Sequence, residues 1–194
     1  GEYNTAWDAY EDTNGGRGMN IFILDEDPKV AASLVIDKHS VKMPLESMQM
    51  MSTIADHLGL DSPYDPVMLN HPCTIWARES RQNFQWLRSH LEGLLDTYAK
   101  RYWYTGNTHK VAKTLEEYSD VFDKVEELLP DIGLTPFAVA ISDNQLCRQN
   151  VENFDDLSVV EQYRAYYIHD KKWFASWKWP HYPPKWYTQM AGSC

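Results

Sequence analysis

Four ionisable side chains crowd one short stretch of the sequence, DKHSVKMPLES at residues 37–47. If the stretch is helical, His39, Lys42 and Glu46 are spaced i, i+3 and i+7 and therefore share one face. Glu46 or His39 could act as a general acid or base there. Lys38 or Lys42 could supply an amine nucleophile or hold a phosphate.

The same stretch breaks two local rules of helix formation. Lys38 and Lys42 place like charges one turn apart, and Pro44 removes a backbone hydrogen bond. Such conflicts tend to occur at functional sites, which favours a functional face turned toward a cavity. The alternative is a solvated polar face on which Lys42 pairs with Glu46, and the spacing alone leaves both interpretations open.

A second set of candidates lies on and before the next predicted helix. Asn70 and His71 precede it in the sequence NHP, and a helix N-terminus attracts anions. Ordinary turn chemistry explains these two residues equally well. Arg78, Arg81 and Arg88 follow along the helix, where they could bind phosphates or pair with carboxylates.

His109 and Lys110 form another His–Lys pair. No HExxH, CxxC or HxH spacing links His109 to His39 or His71, so we expect no metal site. The chain also lacks the glycine-rich phosphate loop, the GxGxxG motif and the GxSxG motif. We therefore expect no nucleotide or dinucleotide cofactor.

The C-terminal segment 163–187 interleaves ten aromatic residues with five Lys or Arg residues. Base stacking on rings, combined with neutralisation of phosphates, is the physics of single-strand and flipped-base binding. Tyr163 and Tyr167 are accordingly candidate substrate-binding residues. The alternative is an amphipathic helix whose rings pack into the core.

Charge and composition limit the possible partners. The net charge of the 194 residues is −10, which argues against nucleic acid coating the whole surface. Residues 114–131 carry seven acidic side chains and one lysine. This stretch is either a solvated helix face or a surface that binds a partner protein. Cys73, Cys147 and Cys194 are widely spaced, which favours free thiols in a reducing cytoplasm. No apolar run reaches 18 residues, so we expect no membrane span.

Local signals place the first elements. Residues 1–18 are polar and end in a Gly-rich run, which predicts a flexible N-terminal extension. Residues 20–24 are apolar and form either one short strand or a buried extended segment. Asp27 caps a helix that begins at Pro28 and ends at Gly59, and Pro44 predicts a kink or a break near 40–44.

The rest of the chain predicts three further helices. After a loop at 59–72, a long helix runs from about Cys73 to Tyr102. Capping boxes at Thr114/Glu117 and Ser158/Glu161 open helices over 115–129 and from 159 to about Trp177, and a non-helical tail follows. We therefore predict a mainly α fold, a compact single-domain helical bundle over residues 19–194.

The order of motifs is similar to that of a family of small bacteriophage and bacterial proteins. The likeness covers roughly residues 19–187 and is carried by DKHSVKMPLES, NHPCTIWARES, RYWYTGNTHK, GLTPF and YRAYY. More distantly, the layout resembles the pyrimidine-dimer DNA glycosylases, which share the early helix with basic residues and a glutamate. That resemblance implies a helical fold acting on DNA bases.

In those glycosylases the N-terminal α-amine attacks the sugar and forms an imine, with help from a glutamate. Glu46 matches that glutamate, whereas the amine would belong to Met19 or Asn20, and eighteen residues precede Met19 here. The resemblance thus implies a removed extension, an amine from Lys38 or Lys42, or chemistry without an imine.

We therefore expect a phage-type enzyme of the infected bacterial cytoplasm that acts on a DNA or nucleotide base. Glu46, His39, Lys42 and Lys38 are the catalytic candidates. The substrate-binding candidates are Asn70, His71, Arg78, Arg81, His109, Lys110, Tyr163 and Tyr167. The alternative is a non-catalytic phage accessory protein that binds nucleic acid or a partner protein.

Overall fold

The computed structural model describes residues 19–106 and 108–191, and these residues form a mainly α fold. The predicted N-terminal extension at 1–18 lies outside the described residues. The nine α-helices of the described ranges are α1 (Pro28–Ser33), α2 (Asp37–His57), α3 (Pro72–Glu79), α4 (Arg81–Arg101), α5 (Val111–Glu117), α6 (Ser119–Leu128), α7 (Leu146–Asn150), α8 (Val159–Asp170) and α9 (Lys185–Ala191). Single 3₁₀ turns lie at Trp103–Thr105 and Phe154–Asp156.

Helix α4 is the centre of the packing. It contacts α1, α2, α3 and α6, while α8 packs against α7 and α9. Gly93 of α4 lies so close to α1 that a Cβ added there would be 2.7 Å from the Cβ of Ala32. The two helices can therefore approach at this distance only with glycine at that position. None of the described helices is long and apolar enough to cross a membrane.

The apolar run at the start of the fold is buried but is not a strand. No β-strand occurs in the described residues, so the strand interpretation of 20–24 is wrong and the buried-segment interpretation holds. Phe22 has a φ of 57°, in the left-handed region, which interrupts an extended conformation. The Asn20 side chain replaces the missing sheet partners, because its Oδ1 accepts hydrogen bonds from the N–H groups of Ile21 and Phe22.

The predicted break in the first helix lies at a different place. α1 ends at Ser33 and α2 begins at Asp37, whereas Pro44 lies inside α2. The backbone N–H of Ile36 donates to the Tyr167 hydroxyl and that of Asp37 to the Ser176 carbonyl, so distant residues satisfy the groups that a continuous helix would have used. Of the kink or break predicted near 40–44, the break is therefore excluded, because α2 continues through Pro44.

The predicted long helix over 73–102 is two helices. Ser80 separates α3 from α4 with extended dihedral angles, and its side chain accepts a hydrogen bond from the N–H of Asn83. The N–H of Arg81 donates to the Pro130 carbonyl instead of continuing α3. The buried N-cap Ser80 therefore starts a new helix, although the apolar residues follow a continuous helical spacing from 73 to 102.

Two more predicted helix ends need correction. The Thr114/Glu117 capping box does not form, because Thr114 lies inside α5 and a new helix starts after Tyr118. The Ser158/Glu161 box does form, but α8 ends at Asp170 rather than near Trp177. Part of the predicted non-helical tail is helical as α9. The Asp27 cap, Pro28 at the first helical position and the loop before Pro72 are confirmed.

His90 of α4 is a fully buried imidazole in this core. Its ring stacks on Trp86 at 5.1 Å between centroids, and neither ring nitrogen has a hydrogen-bond partner among the described residues. Burial lowers the pKa of His90 from its usual 6.5 to about 3. The folded protein therefore holds this histidine neutral where the unfolded chain would protonate it.

We predict that His90→Phe reduces the dependence of the free energy of unfolding on pH below about 6.5. In the native protein the free energy of unfolding falls as the pH drops from 6.5 toward 3, because only the unfolded state gains the proton, at about 1.4 kcal/mol per pH unit at most. Phenylalanine keeps the stack on Trp86 and removes this contribution. Urea denaturation between pH 7 and pH 4 measures the difference. The exposed His57→Gln is the control, and equal pH profiles for native protein and His90→Phe would contradict the assignment.

Candidate functional site

The polar face of α2 is turned inward. His39, Lys42 and Glu46 are buried, with His39 fully inaccessible and the other two 6% exposed. Lys38 is half-buried, and so are Val41 and Leu45 on the face expected to be apolar. The interpretation of these residues as a solvated polar face is therefore wrong, and α2 presents its ionisable side chains to the interior.

His39 is fixed by aromatic residues of α8 and of the buried first segment. Its Nδ1 lies 2.7 Å from the Tyr167 hydroxyl, and its ring stacks on Phe22 at 4.1 Å between centroids. Phe22 in turn stacks on Tyr166 at 6.0 Å. Histidine, phenylalanine and tyrosine rings thus form a continuous buried wall.

Lys171, immediately after α8, adds a positive charge to this wall. Its side chain is buried, and Nζ lies 4.8 Å from the ring centroid of Tyr166 and 6.0 Å from that of Phe22. The face of each ring attracts the ammonium group. Lys171 and Lys42 of α2 are thus two buried lysines.

Glu46 lies beside the start of α3. Burial, together with the nearby charge of Glu46, raises the pKa of the Cys73 thiol to about 12. Cys73 is therefore a protonated thiol and not a nucleophile at neutral pH. The carboxylate of Glu46 is itself buried, so its charge acts on a residue of the NHPC segment inside the protein.

Tyr163 and Asn20 connect α8 to the first segment. The Tyr163 hydroxyl donates to Oδ1 of Asn20 at 2.8 Å and accepts from the N–H of Ala140. Asn20 Nδ2 donates to the Ala140 carbonyl. Burial raises the pKa of Tyr163 well above its usual value, so its hydroxyl stays protonated as a donor. We conclude that Tyr163 holds the segment in place, while Tyr167 contacts His39 directly.

The candidates at the start of α3 are more exposed. His71 is the N-cap of α3, because its Nδ1 accepts a hydrogen bond from the N–H of Cys73 at 3.1 Å. Burial lowers the pKa of His71, which preserves this acceptor. Asn70 is exposed and Arg78 is half-buried. Of the two interpretations, turn chemistry accounts for the position of His71.

Two of the arginine candidates on α4 have structural partners on or next to α6. Arg81 binds the Glu126 and Glu127 carbonyls and the Asp131 carboxylate, and Arg88 pairs with Asp123 and Glu126. These arginines therefore attach the acidic helix α6 to α4.

His109 is buried and links α5 to α2. The N–H of Val111 donates to its Nδ1, which leaves Nε2–H to donate to the Val41 carbonyl at 2.8 Å. Lys110 next to it is exposed. Within the described ranges no three His, Cys, Asp or Glu residues form a metal-binding group, so His39, His71 and His109 do not converge.

Sequence reasoning missed three members of the buried cluster: Phe22, Tyr166 and Lys171. Phe22 belongs to the segment predicted as a strand or a buried extended segment, and Lys171 to the aromatic and basic stretch at 163–187; neither is among the predicted site residues. The available signal was the YRAYYIHDKK sequence, whose tyrosines at i and i+3 or i+4 fall on one face together with Asp170 and Lys171.

We predict that Tyr167→Phe destabilises the protein by about 1–3 kcal/mol, since it removes the hydroxyl partner of two buried groups, the Ile36 N–H and the His39 imidazole. Urea denaturation measures the change. Tyr182→Phe removes a hydroxyl from a side chain that is 72% exposed and is the matched control, with an expected change near zero. Equal effects of the two substitutions would show that the His39–Tyr167 contact is absent in solution.

Comparison of the chain with protein-family models, with curated proteins and with solved structures found no match. Function is therefore inferred from the residues and their geometry.

Proposed function

We propose that the protein is an enzyme that acts on a base of DNA or of a nucleotide, through glycosylase-like or base-modifying chemistry. The observation that supports this most directly is the inward face of α2, with His39, Lys42 and Glu46 buried next to stacked rings. Chemistry on a base needs a group that transfers protons and flat apolar surfaces that hold the ring. Both occur together here.

Each buried group has a proposed role. Glu46 is the general acid or base, and its removal from water strengthens its electrostatic interaction with a reacting atom. Phe22 and Tyr166 form the flat apolar side of the site and hold the His39 ring in place. Lys42 and Lys171 balance the charge of a phosphate or of a developing anion.

In the glycosylase-like form of the proposal an amine attacks the sugar C1′ and an imine forms. Met19 and Asn20 belong to the buried segment, and the Thr74 hydroxyl lies 3.5 Å from the Met19 sulfur, so this segment contacts the helix start that carries Cys73. In this form we propose Lys42, which is buried on the same face as Glu46, or Lys38 as the amine. In the base-modifying form no imine is required. The proposed setting is the cytoplasm of a phage-infected bacterium.

The second candidate function is a non-catalytic accessory protein that binds nucleic acid or a partner protein. The observation in its favour is the number of large aromatic side chains that the described residues leave exposed, among them Trp103, Trp179 and Tyr182. Exposed rings of this size are typical of interaction surfaces. Binding with no turnover in any assay of the native protein would favour this function.

We predict that Glu46→Gln lowers turnover of damaged or modified duplex DNA, or of nucleotides, by about 10²-fold or more, the range of a lost general acid or base. Product formation is measured with both proteins at equal concentration. Glu79→Gln is the control, because Glu79 is an exposed carboxylate on α3. Full activity of a folded Glu46→Gln protein would remove Glu46 from the mechanism.

Borohydride reduction separates the two forms of the proposal. If an imine forms, borohydride gives a covalent protein–DNA adduct whose attachment site, found by mass spectrometry, is Lys42 or Lys38. Turnover without any trapped adduct would leave the base-modifying form.

A further inference from the structure

Two segments of this acidic chain contain no acidic residue at all. Residues 97–115 and 171–191 together hold eight of the 18 Lys and Arg residues and none of the 28 Asp and Glu residues. The rest of the chain therefore carries every negative side chain. Such a separation of charge produces a local field of the opposite sign to that of the whole molecule.

The fold brings these two segments together. The Nε–H of Arg101, at the end of α4, donates to Nδ1 of His181 at 3.1 Å. Nζ of Lys178 lies 5.7 Å from the ring centroid of Tyr102 and 5.8 Å from that of Tyr104. Segments that are about eighty residues apart in sequence thus form one surface, with a lysine held over two tyrosine rings.

The exposed aromatic side chains of the described residues all lie in the same two segments. They are Trp103 at 63%, Tyr104 at 58%, Trp173 at 62%, Trp179 at 64% and Tyr182 at 72%. Elsewhere in the described part of the chain, the large hydrophobic side chains that are exposed are not aromatic, and Ile132 and Leu134 are examples. Of the basic residues in these segments, Lys100, Arg101 and Lys113 pair with Asp96, Asp37 and Glu117, and Lys171 is buried. The exposed rings therefore occur together with four exposed lysines, Lys110, Lys172, Lys178 and Lys185.

We infer that this surface, the aromatic–basic face formed by Trp103, Tyr104, Lys178, Trp179 and Tyr182, binds single-stranded nucleic acid. Unpaired bases stack on exposed rings without regard to sequence, and the lysines neutralise the phosphates between them. A duplex offers no free base faces to these rings, so it gains only the electrostatic part. A neutral or basic protein partner would gain nothing from the lysines.

The face also has a defined position relative to the buried cluster. The Ser176 hydroxyl and the N–H of Lys178 both donate to the carboxylate of Asp37, the first residue of α2. A strand on the aromatic–basic face would therefore run past the beginning of the helix that carries Glu46. Binding at this face requires no catalysis at Glu46, so either proposal can fail without the other failing.

The experiment measures the affinity of the full chain for fluorescein-labelled (dT)12 by anisotropy, with the (dA)12·(dT)12 duplex and (rU)12 in parallel. We expect (dT)12 to bind more tightly than the duplex. The double substitution Trp103→Ala/Trp179→Ala should weaken binding of (dT)12 by about tenfold or more, the scale of lost base–aromatic stacks. Lys178→Glu should weaken it and also reduce its dependence on salt concentration.

Matched controls keep the result specific. Ile132→Ala/Leu134→Ala removes two exposed apolar side chains outside the aromatic–basic face. Lys124→Glu reverses the charge of an exposed lysine on the acidic helix α6. Neither change should alter the affinity for (dT)12. The inference is overturned if the native protein does not bind (dT)12, if it binds the duplex equally well, or if Trp103→Ala/Trp179→Ala binds unchanged.

Discussion

The buried ion pair between Arg101 and Asp37 is the constraint on which the rest of the structure depends. The guanidinium is fully inaccessible and donates to the Asp37 carboxylate at 3.0 Å, to the Val35 carbonyl at 2.7 Å and to the Ser33 carbonyl at 3.1 Å. Asp37 also accepts hydrogen bonds from the segment after α8. One arginine therefore fixes the end of α1, the start of α2 and the path of the C-terminal segment. A buried pair of this kind contributes more to positioning than to net stability, and removing either partner costs several kcal/mol.

The fixed start of α2 determines which of its faces is turned inward. With Asp37 held by Arg101, the helical repeat turns His39, Lys42 and Glu46 inward, and His39 contacts Tyr167 of α8 and Phe22 of the segment at 19–24. Burying these groups is costly unless polar and aromatic neighbours compensate, and Tyr167, Phe22 and Lys171 belong to that environment. The same constraint holds the aromatic–basic face, since Arg101 also binds His181.

Features that depend on neighbouring residues could be predicted from the sequence. These include the Asp27 cap, the Ser158/Glu161 box and the helix end before Gly59, whose φ is 79°. The break at Ser80 and the end of α8 at Asp170 depend on tertiary contacts and could not be predicted. The same distinction holds for the candidate site. Helical spacing predicted that His39, Lys42 and Glu46 share a face. Whether that face is buried depends on Arg101, which is sixty-four residues from Asp37.

The central claim is that α2 keeps its charged side chains inside the folded protein, and the reactivity of Lys42 tests it most directly. The rate at which a dilute acetylating reagent modifies each lysine of the native protein is measured by mass spectrometry of its peptides. The structure predicts that Lys42, which is 6% exposed, reacts at least about tenfold more slowly than the exposed Lys110, because it is reached only when the structure opens. Equal rates for the two lysines would contradict the account.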